Sequence, residues 1–147
     1  IRPSGEFQLT EVLETLKKEG AKFLPGKVDV WMDCGKKDPT VDTNKKILDF
    51  EEAKGNNLVA DSAVLENSEI IPPCYIGKNV VLKNSTIGPY VSIGENSLVE
   101  DSEIRNSLIQ TNVHISNASL DNAMIGNHAT YNGNFTSVSI GDYTELT

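Results

Sequence analysis

The second half of the chain repeats itself, and this repetition limits its fold more than any other feature. From residue 59 onward an aliphatic residue, in most cases followed by glycine, recurs about every 16 positions. The aligned positions are Val59, Ile76, Ile93, Ile109, Ile125 and Ile140. A fixed period of this kind indicates a solenoid, in which each repeat buries its inner face against its neighbours.

A finer period of about five or six residues divides each repeat into three short faces. Large apolar residues on these faces are expected to point inward at Leu65, Ile71, Leu82, Ile87, Val99, Ile104, Ile115, Leu120 and Leu146. Smaller inward positions are expected at Ala63, Val80, Val91, Ser97, Val113, Ala129 and Thr144. Residues that tolerate a positive φ are expected at the corners, namely Asn67, Asn84, Asn96, Asn106, Asn117, Asn122, Asn127 and Gly133.

The six-residue segments IGKNVV, IGPYVS, IGENSL, IGNHAT and IGDYTE resemble the hexapeptide repeats of left-handed parallel β-helix proteins. The left-handedness is implied by this resemblance, since parallel crossovers are otherwise right-handed. The prediction is therefore a mainly β protein, with a left-handed parallel β-helix of about five coils preceded by a short α/β fragment. The domain boundary is predicted between a first segment at 1–53 and a β-helix domain at 54–147.

The first fifty residues do not repeat. Apolar spacing predicts a surface helix of about ten residues, with Thr10 as N-cap and Gly20 as its stop. Alternation over residues 27–33 predicts a strand that ends in the Cys34-Gly35 turn. Asp38 is the expected N-cap of a second helix that runs to about Phe50, and a polar linker follows.

Asp33 is the candidate for chemistry in this part of the chain. Ligands of open α/β sheets bind at the carboxyl ends of strands, and Asp33 is expected at such an end beside a glycine. Mg²⁺ prefers one or two carboxylates together with substrate phosphate oxygens. An aspartate before Cys-Gly is, however, also an ordinary turn residue.

Three segments carry a second resemblance. GEFQLTEVL at 5–13, VDVWMDCG at 28–35 and TN at 43–44 resemble the closing part of the sugar-1-phosphate nucleotidyltransferases, which include glucose-1-phosphate thymidylyltransferases and mannose-1-phosphate guanylyltransferases. Members with a long C-terminus carry a left-handed β-helix directly afterwards, as expected here. The family pattern G-E-x-Q-L-T-D is matched except that Glu11 replaces the final aspartate.

This resemblance implies a transfer of a nucleotidyl group from a nucleoside triphosphate to a sugar-1-phosphate with Mg²⁺. Glu6 would accept hydrogen bonds from sugar hydroxyls, and Asp33 would be the second carboxylate on the metal ion. The family's glycine-rich nucleotide loop is not present in these residues, because no G-x-G-x-R stretch occurs. The chain is therefore expected to be a C-terminal fragment of a longer enzyme and to be inactive by itself.

Two alternatives stay open at this stage. Many left-handed β-helix proteins are acyltransferases that use a histidine base, and the chain has two histidines, His114 and His128, both expected at outward or corner positions. The second alternative is that the β-helix is an assembly module that forms a homo-oligomer. In that case outer-face aromatics would suit subunit contacts, at Tyr75, Tyr90, Tyr131, Phe135 and Tyr143.

Charge and cysteines limit the partners. The net charge is −8, and residues 59–147 carry ten acidic against three basic side chains. Because the predicted β-helix carries this excess of negative charge, nucleic acid and anionic membranes are disfavoured as its partners. Cys34 and Cys74 lack metal-ligand spacing, and no apolar run is long enough to cross a bilayer. Free thiols predict a reducing, cytoplasmic location.

Overall fold

The computed structural model describes residues 9–133 and 139–146 of the chain. Two compact units are present, Ile1–Trp31 and Met32–Thr147. The unit that contains the repeats thus begins about 22 residues before the boundary drawn from the sequence at 53/54, a difference decided by packing.

The first unit contains helix α1 (Leu9–Lys18), which confirms the predicted surface helix. Thr10 lies inside this helix rather than at its cap. Gly20 ends the helical turn with φ +94°, and its N–H donates to the Lys17 carbonyl at 3.1 Å.

The strand predicted at residues 27–33 does not form, and this prediction was wrong. Val28, Val30 and Trp31 are exposed there. A single alternating segment needs neighbouring strands to satisfy its backbone groups, and none of the strands in the described residues pairs with it. Residues 9–36 are therefore helical and irregular rather than α/β.

Helix α2 (Lys37–Ala53) opens the second unit and is longer than expected. Its N-cap is Lys36, which makes no side-chain capping bond, so Asp38 lies in the first turn instead. Val41 and Leu48 are buried, and the helix packs against two strands of the repeat region, Val91–Ile93 and Ser107–Ile109. The apolar stripe of α2 is therefore buried against the β-helix.

In its described residues the repeat region contains fifteen short strands, and every pairing between them is parallel. They are β1 (Val64–Glu66), β2 (Glu69–Ile70), β3 (Cys74–Ile76), β4 (Val81–Lys83), β5 (Thr86–Ile87), β6 (Val91–Ile93), β7 (Leu98–Glu100), β8 (Glu103–Arg105), β9 (Ser107–Ile109), β10 (His114–Ser116), β11 (Ser119–Asp121), β12 (Met124–Ile125), β13 (Thr130–Asn132), β14 (Ser139–Ile140) and β15 (Glu145–Leu146). Three sheets result, with orders β1-β4-β7-β10-β13-β15, β11-β8-β5-β2 and β14-β12-β9-β6-β3. Each third strand joins the same sheet up to β13, and in the last coil β14 joins β12 and β15 joins β13. This order confirms a β-helix, with about four complete turns in the described residues. Its handedness stays a prediction.

The core is a set of columns that run along the axis of the prism. Ile76 pairs in register with Ile93, Ile93 with Ile109, and Ile109 with Ile125, and all four are at most 1% exposed. Dense stacking of this kind excludes water from the interior. The repeat alignment is therefore confirmed residue by residue in this sheet.

Two predicted orientations were wrong. Ile70 faces the core and Ile71 is 39% exposed, because the strand pairing places Ile70 opposite Ile87. A shift of one residue turns a side chain to the other face of a strand. Tyr131, expected on an outer face, is fully buried because it continues the inward column after Ile115.

Asparagines hold the corners in a left-handed backbone conformation. Positive φ angles occur at six of the predicted asparagines, namely Asn67, Asn84, Asn96, Asn106, Asn117 and Asn122. At the corner near residue 127, the positive φ occurs at His128 and not at the predicted Asn127. Several of these amides also join neighbouring coils, as when Asn67 Nδ2 donates to Asn84 Oδ1 at 3.0 Å.

Buried serines satisfy backbone groups at the small inward positions. The hydroxyl oxygen of Ser85 accepts the N–H of Ser102 at 3.1 Å, and that of Ser102 accepts the N–H of Ala118 at 3.1 Å. Each hydroxyl also donates to a carbonyl two residues earlier. Each of these serines thus satisfies a backbone N–H of the next coil as well as its own hydroxyl proton.

Glycine after the inward isoleucine is required by close stacking of the coils. A Cβ on Gly94 would lie 2.7 Å from the Gln110 carbonyl carbon and 2.8 Å from its oxygen. We expect Gly94→Ala to lower the unfolding free energy by about 1–3 kcal/mol, because backbone of the next coil has to move. Urea denaturation followed by circular dichroism measures this loss.

Gly141→Ala is the matched control, since nothing lies within 4 Å of the Cβ position at Gly141. It should change the unfolding free energy by less than about 0.5 kcal/mol. Equal effects of the two alanines would contradict the stacking distance described for Gly94.

Candidate functional site

The predicted metal ligand Asp33 lies in a short exposed turn just before α2. Its Oδ1 accepts the backbone N–H of Gly35 at 2.9 Å. An aspartate that bonds the amide two residues ahead forms an Asx turn. This bond fixes the carboxylate relative to the backbone, while the other oxygen stays available to a ligand.

A single carboxylate does not make a magnesium site. Across residues 9–133 and 139–146, no three His, Cys, Asp or Glu side chains group together as they would to hold a metal ion. Asp33 fits the role of one carboxylate beside substrate phosphates, because Mg²⁺ often takes only one or two protein ligands. Its metal role stays a prediction, and Glu6 lies outside the described residues.

The backbone that follows Asp33 is tied to the first turn of α2. The Thr40 hydroxyl lies 3.0 Å from the Cys34 carbonyl oxygen and 2.7 Å from that of Lys36. Its one proton is shared between these two acceptors. The turn at residues 33–35 is thereby attached to the start of the helix.

The first turn of α2 is held in place by a corner of the β-helix. Lys37 Nζ donates to the backbone carbonyl of Asn122 at 3.0 Å. The Asn122 Nδ2 donates to Asp38 Oδ1 at 3.1 Å, and Lys37 Nζ also lies 3.1 Å from that oxygen. The hydrogen bond from Lys37, and next the one from Asn122, lower the pKa of Asp38, so this carboxylate stays charged at neutral pH.

The middle of α2 makes further polar contacts with the β-helix. The Ser92 hydroxyl donates to Asn44 Oδ1 at 2.6 Å, and Asn44 belongs to the TN pair of the family pattern. The buried Nδ2 of Asn44 has no hydrogen-bond partner. If the side-chain amide of Asn44 were rotated by 180°, its N–H would donate to the Ser92 hydroxyl, which can also accept a hydrogen bond.

A lysine of α2 stacks on an aromatic ring at a corner. The Lys45 ammonium lies 4.4 Å from the centroid of the Tyr90 ring. Tyr90 has φ +64°, an unusual conformation for a bulky residue. The negative charge of Asp49, followed by desolvation, raises the pKa of the Tyr90 phenol, which therefore stays neutral.

An open cleft of about 380 Å³ lies beside these contacts. It is lined by Asp38, Val41, Asp42, Lys45, Asn106, Asp121 and Asn122. Asp121 is engaged on both oxygens, by Arg105 Nε at 3.0 Å and Asn106 Nδ2 at 2.9 Å. With three carboxylates against one lysine, the cleft disfavours anionic ligands.

His114 takes part in a network of charged side chains on the outer face of β10. Its Nε2 lies 3.0 Å from Glu100 Oε2, and Lys83 Nζ lies 3.1 Å from Glu100 Oε1. His114, followed by Lys83, lowers the pKa of Glu100. The network links three successive coils.

His128 lies at a corner, as predicted from the sequence. It has φ +58° and is exposed. Its ring stacks on Tyr143 with centroids 4.6 Å apart and an interplanar angle of 6°. This geometry is that of a surface aromatic pair between neighbouring coils.

The predicted surface aromatics separate into three groups. Tyr75 and Tyr143 are exposed, and Tyr90 is half-buried under Lys45. Tyr131 is in the core, and Phe135 lies outside the described residues. Exposed aromatics that could contact another subunit are thus fewer than the sequence indicated.

Comparison with known proteins yields no match to any family model and no match to a curated protein. None of the described helices is long and apolar enough to cross a membrane.

Sequence reasoning missed the residues that connect α2 to the β-helix. Asn122 was assigned only to a corner, and Ser92 was not assigned at all. Ser92 lies at an outward strand position whose residue type the repeat pattern does not constrain, and at Asn122 the pattern indicates a corner but no partner. The only available signal was the TN pair, since Asn44 makes one of these contacts.

Proposed function

We propose that this chain is the C-terminal part of a sugar-1-phosphate nucleotidyltransferase. The complete enzyme transfers a nucleotidyl group from a nucleoside triphosphate to a sugar-1-phosphate. This chain contributes Glu6 to the sugar site and Asp33 to the metal site, and its β-helix serves assembly as a homo-oligomer in the cytoplasm.

The observation that carries the proposal is the order of elements in the second unit. An Asp-x-Gly turn leads directly into α2, α2 packs on the β-helix, and β1 (Val64–Glu66) is the next element after α2 ends at Ala53. This order is the one implied by the family resemblance. The TN pair has a structural role in this arrangement, because Asn44 of α2 accepts a hydrogen bond from Ser92 of the β-helix.

The chemistry assigned to these residues is modest. Mg²⁺, when bound, would neutralise phosphate charge during attack of the sugar-1-phosphate oxygen on the α-phosphate. Asp33 would present one carboxylate oxygen, oriented by the Gly35 N–H. Glu6 would accept hydrogen bonds from sugar hydroxyls and orient the sugar.

An assembly role alone, without catalysis, is the second candidate. The outer face of the first sheet carries a row of aliphatic side chains in register, Val64, Val81 and Leu98. Such a row would suit contact with a second copy. Light scattering of the chain with and without residues 54–147 tests this role.

Pyrophosphate release tests the catalytic proposal. We expect none from residues 1–147 with any nucleoside triphosphate and sugar-1-phosphate, because no phosphate-binding loop occurs in this sequence. The full-length protein should release pyrophosphate under the same conditions. Turnover by residues 1–147 alone, or none by the full-length protein with a panel of sugar-1-phosphates, would contradict the proposal.

A further inference from the structure

One corner residue of the β-helix lies at the end of a chain of contacts that leads to Asp33. The corner column formed by Tyr90, Asn106 and Asn122 shares a positive φ. In this column the Asn122 side chain donates to Asp38 of α2 and the Tyr90 ring lies under Lys45 of α2, while Asn106 bonds Asp121 within the β-helix. The two asparagines share the corner conformation, so this conformation alone does not account for the bond from Asn122 to α2.

The contacts of Asn122 fix both charged residues of the first turn of α2. Its backbone carbonyl accepts Lys37 Nζ at 3.0 Å, and its side chain donates to Asp38 at 3.1 Å. The Lys37 side chain is only 21% exposed, so this contact is partly shielded from water. Hydrogen bonds to charged groups are stronger than neutral ones and hold a defined geometry.

The first turn of α2 in turn holds the backbone beside Asp33. Thr40 bonds the Cys34 carbonyl, and the Gly35 N–H bonds the Asp33 carboxylate. The helix has no side-chain N-cap at Lys36, so its start depends on these contacts more than on capping. A displacement of the first turn would therefore be transmitted to the Asp33 carboxylate.

We propose that Asn122 is a positioning residue for Asp33, through which the β-helix sets the orientation of the carboxylate assigned to the metal. The structural half of this proposal stands on the contacts above. Its catalytic half rests on the proposed function. In this proposal the β-helix helps to orient an active-site carboxylate through α2, in addition to serving assembly.

Asn122→Gly is the variant that isolates the side chain. Glycine adopts the left-handed conformation at no steric cost and keeps the backbone carbonyl that Lys37 uses. Asn112→Gly is the matched control, because Asn112 has φ +57° against +58° for Asn122 and its side chain bonds only the adjacent Thr111. Asp38→Ala removes the same contact from the helix side and leaves the β-helix sequence intact.

Backbone relaxation by NMR tests the structural half in the 147-residue chain. We expect the order parameter of the Gly35 amide to fall from the rigid value of about 0.85 to below about 0.6 in Asn122→Gly and in Asp38→Ala. It should stay rigid in Asn112→Gly, and the amide signals of the β-helix core should not change. A Gly35 amide that stays rigid in both Asn122→Gly and Asp38→Ala overturns the proposal.

Metal dependence tests the catalytic half in the full-length protein. We expect Asn122→Gly to raise the Mg²⁺ concentration for half-maximal activity about tenfold, as loss of an orienting contact does at metal sites, with an unchanged KM for the nucleotide. Addition of Mg²⁺ should restore the rate. A lower rate that Mg²⁺ does not restore overturns the positioning role. Absence of activity in the unaltered full-length protein, with the NMR result as expected, contradicts the proposed function instead.

Discussion

Ile93→Asp should lower the unfolding free energy of the β-helix by about 3–5 kcal/mol, the range measured when an unpaired charge is left in a protein interior. Ile93 is fully buried and lies in register between Ile76 and Ile109. Its surroundings are aliphatic columns that cannot hydrogen-bond a carboxylate. Because native domains are stable by only about 5–15 kcal/mol, this loss is enough to unfold much of the array at moderate temperature.

Two control variants separate the charge from the change in volume. Ile93→Val should cost only about 0.5–1.5 kcal/mol, since one methyl group is removed. Asn132→Asp introduces the same carboxylate at an exposed strand position and should change stability by less than about 0.5 kcal/mol. Thermal or urea midpoints measure all three, and equal midpoints for Ile93→Asp and Asn132→Asp would show that the register of the core column is wrong.

Asp33→Asn should reduce kcat of the full-length protein by at least about a hundredfold, if the proposed function is correct. A neutral amide keeps the bond from the Gly35 N–H but loses the negative charge that a metal ion requires. Losses of this size are typical when an enzyme loses a group that stabilises developing charge. Steady-state pyrophosphate release at saturating Mg²⁺ provides the measurement.

Glu6→Gln is the comparison for that prediction. It should raise KM for the sugar-1-phosphate about tenfold and change kcat less, because one hydrogen bond from a charged group is weakened. Unchanged turnover in Asp33→Asn would remove Asp33 from the site. A larger kcat loss in Glu6→Gln than in Asp33→Asn would reverse the assigned roles.

The sequence by itself determined the β-helix. Its period placed Ile76, Ile93, Ile109 and Ile125 in one column, and the structure has them in register. This inference worked because the large inward positions of successive coils are filled mainly by aliphatic side chains. The information needed for the core is therefore local and repeated many times.

Errors in the repeat region arose where the pattern was ambiguous by one residue. Two isoleucines are adjacent at 70 and 71, and only pairing with β5 decides which one is buried. Tyr131 was expected on an outer face, but it occupies the inward position of β13, the fifth strand of its sheet, and is fully buried. Backbone register decided both cases, and register depends on the neighbouring coil rather than on the residue itself.

The tertiary structure alone decided how the start of the second unit meets the β-helix. The period of α2 predicted a helix, but not that Val41 and Leu48 would be buried on β-helix strands or that Lys37 and Asp38 would meet Asn122. Residues 37 and 122 are 85 positions apart, and the repeat pattern that marks Asn122 as a corner residue does not indicate its contact with α2. Likewise, residues 27–33 alternate as a strand does but remain unpaired, because a strand is stable only when other strands complete its hydrogen bonds.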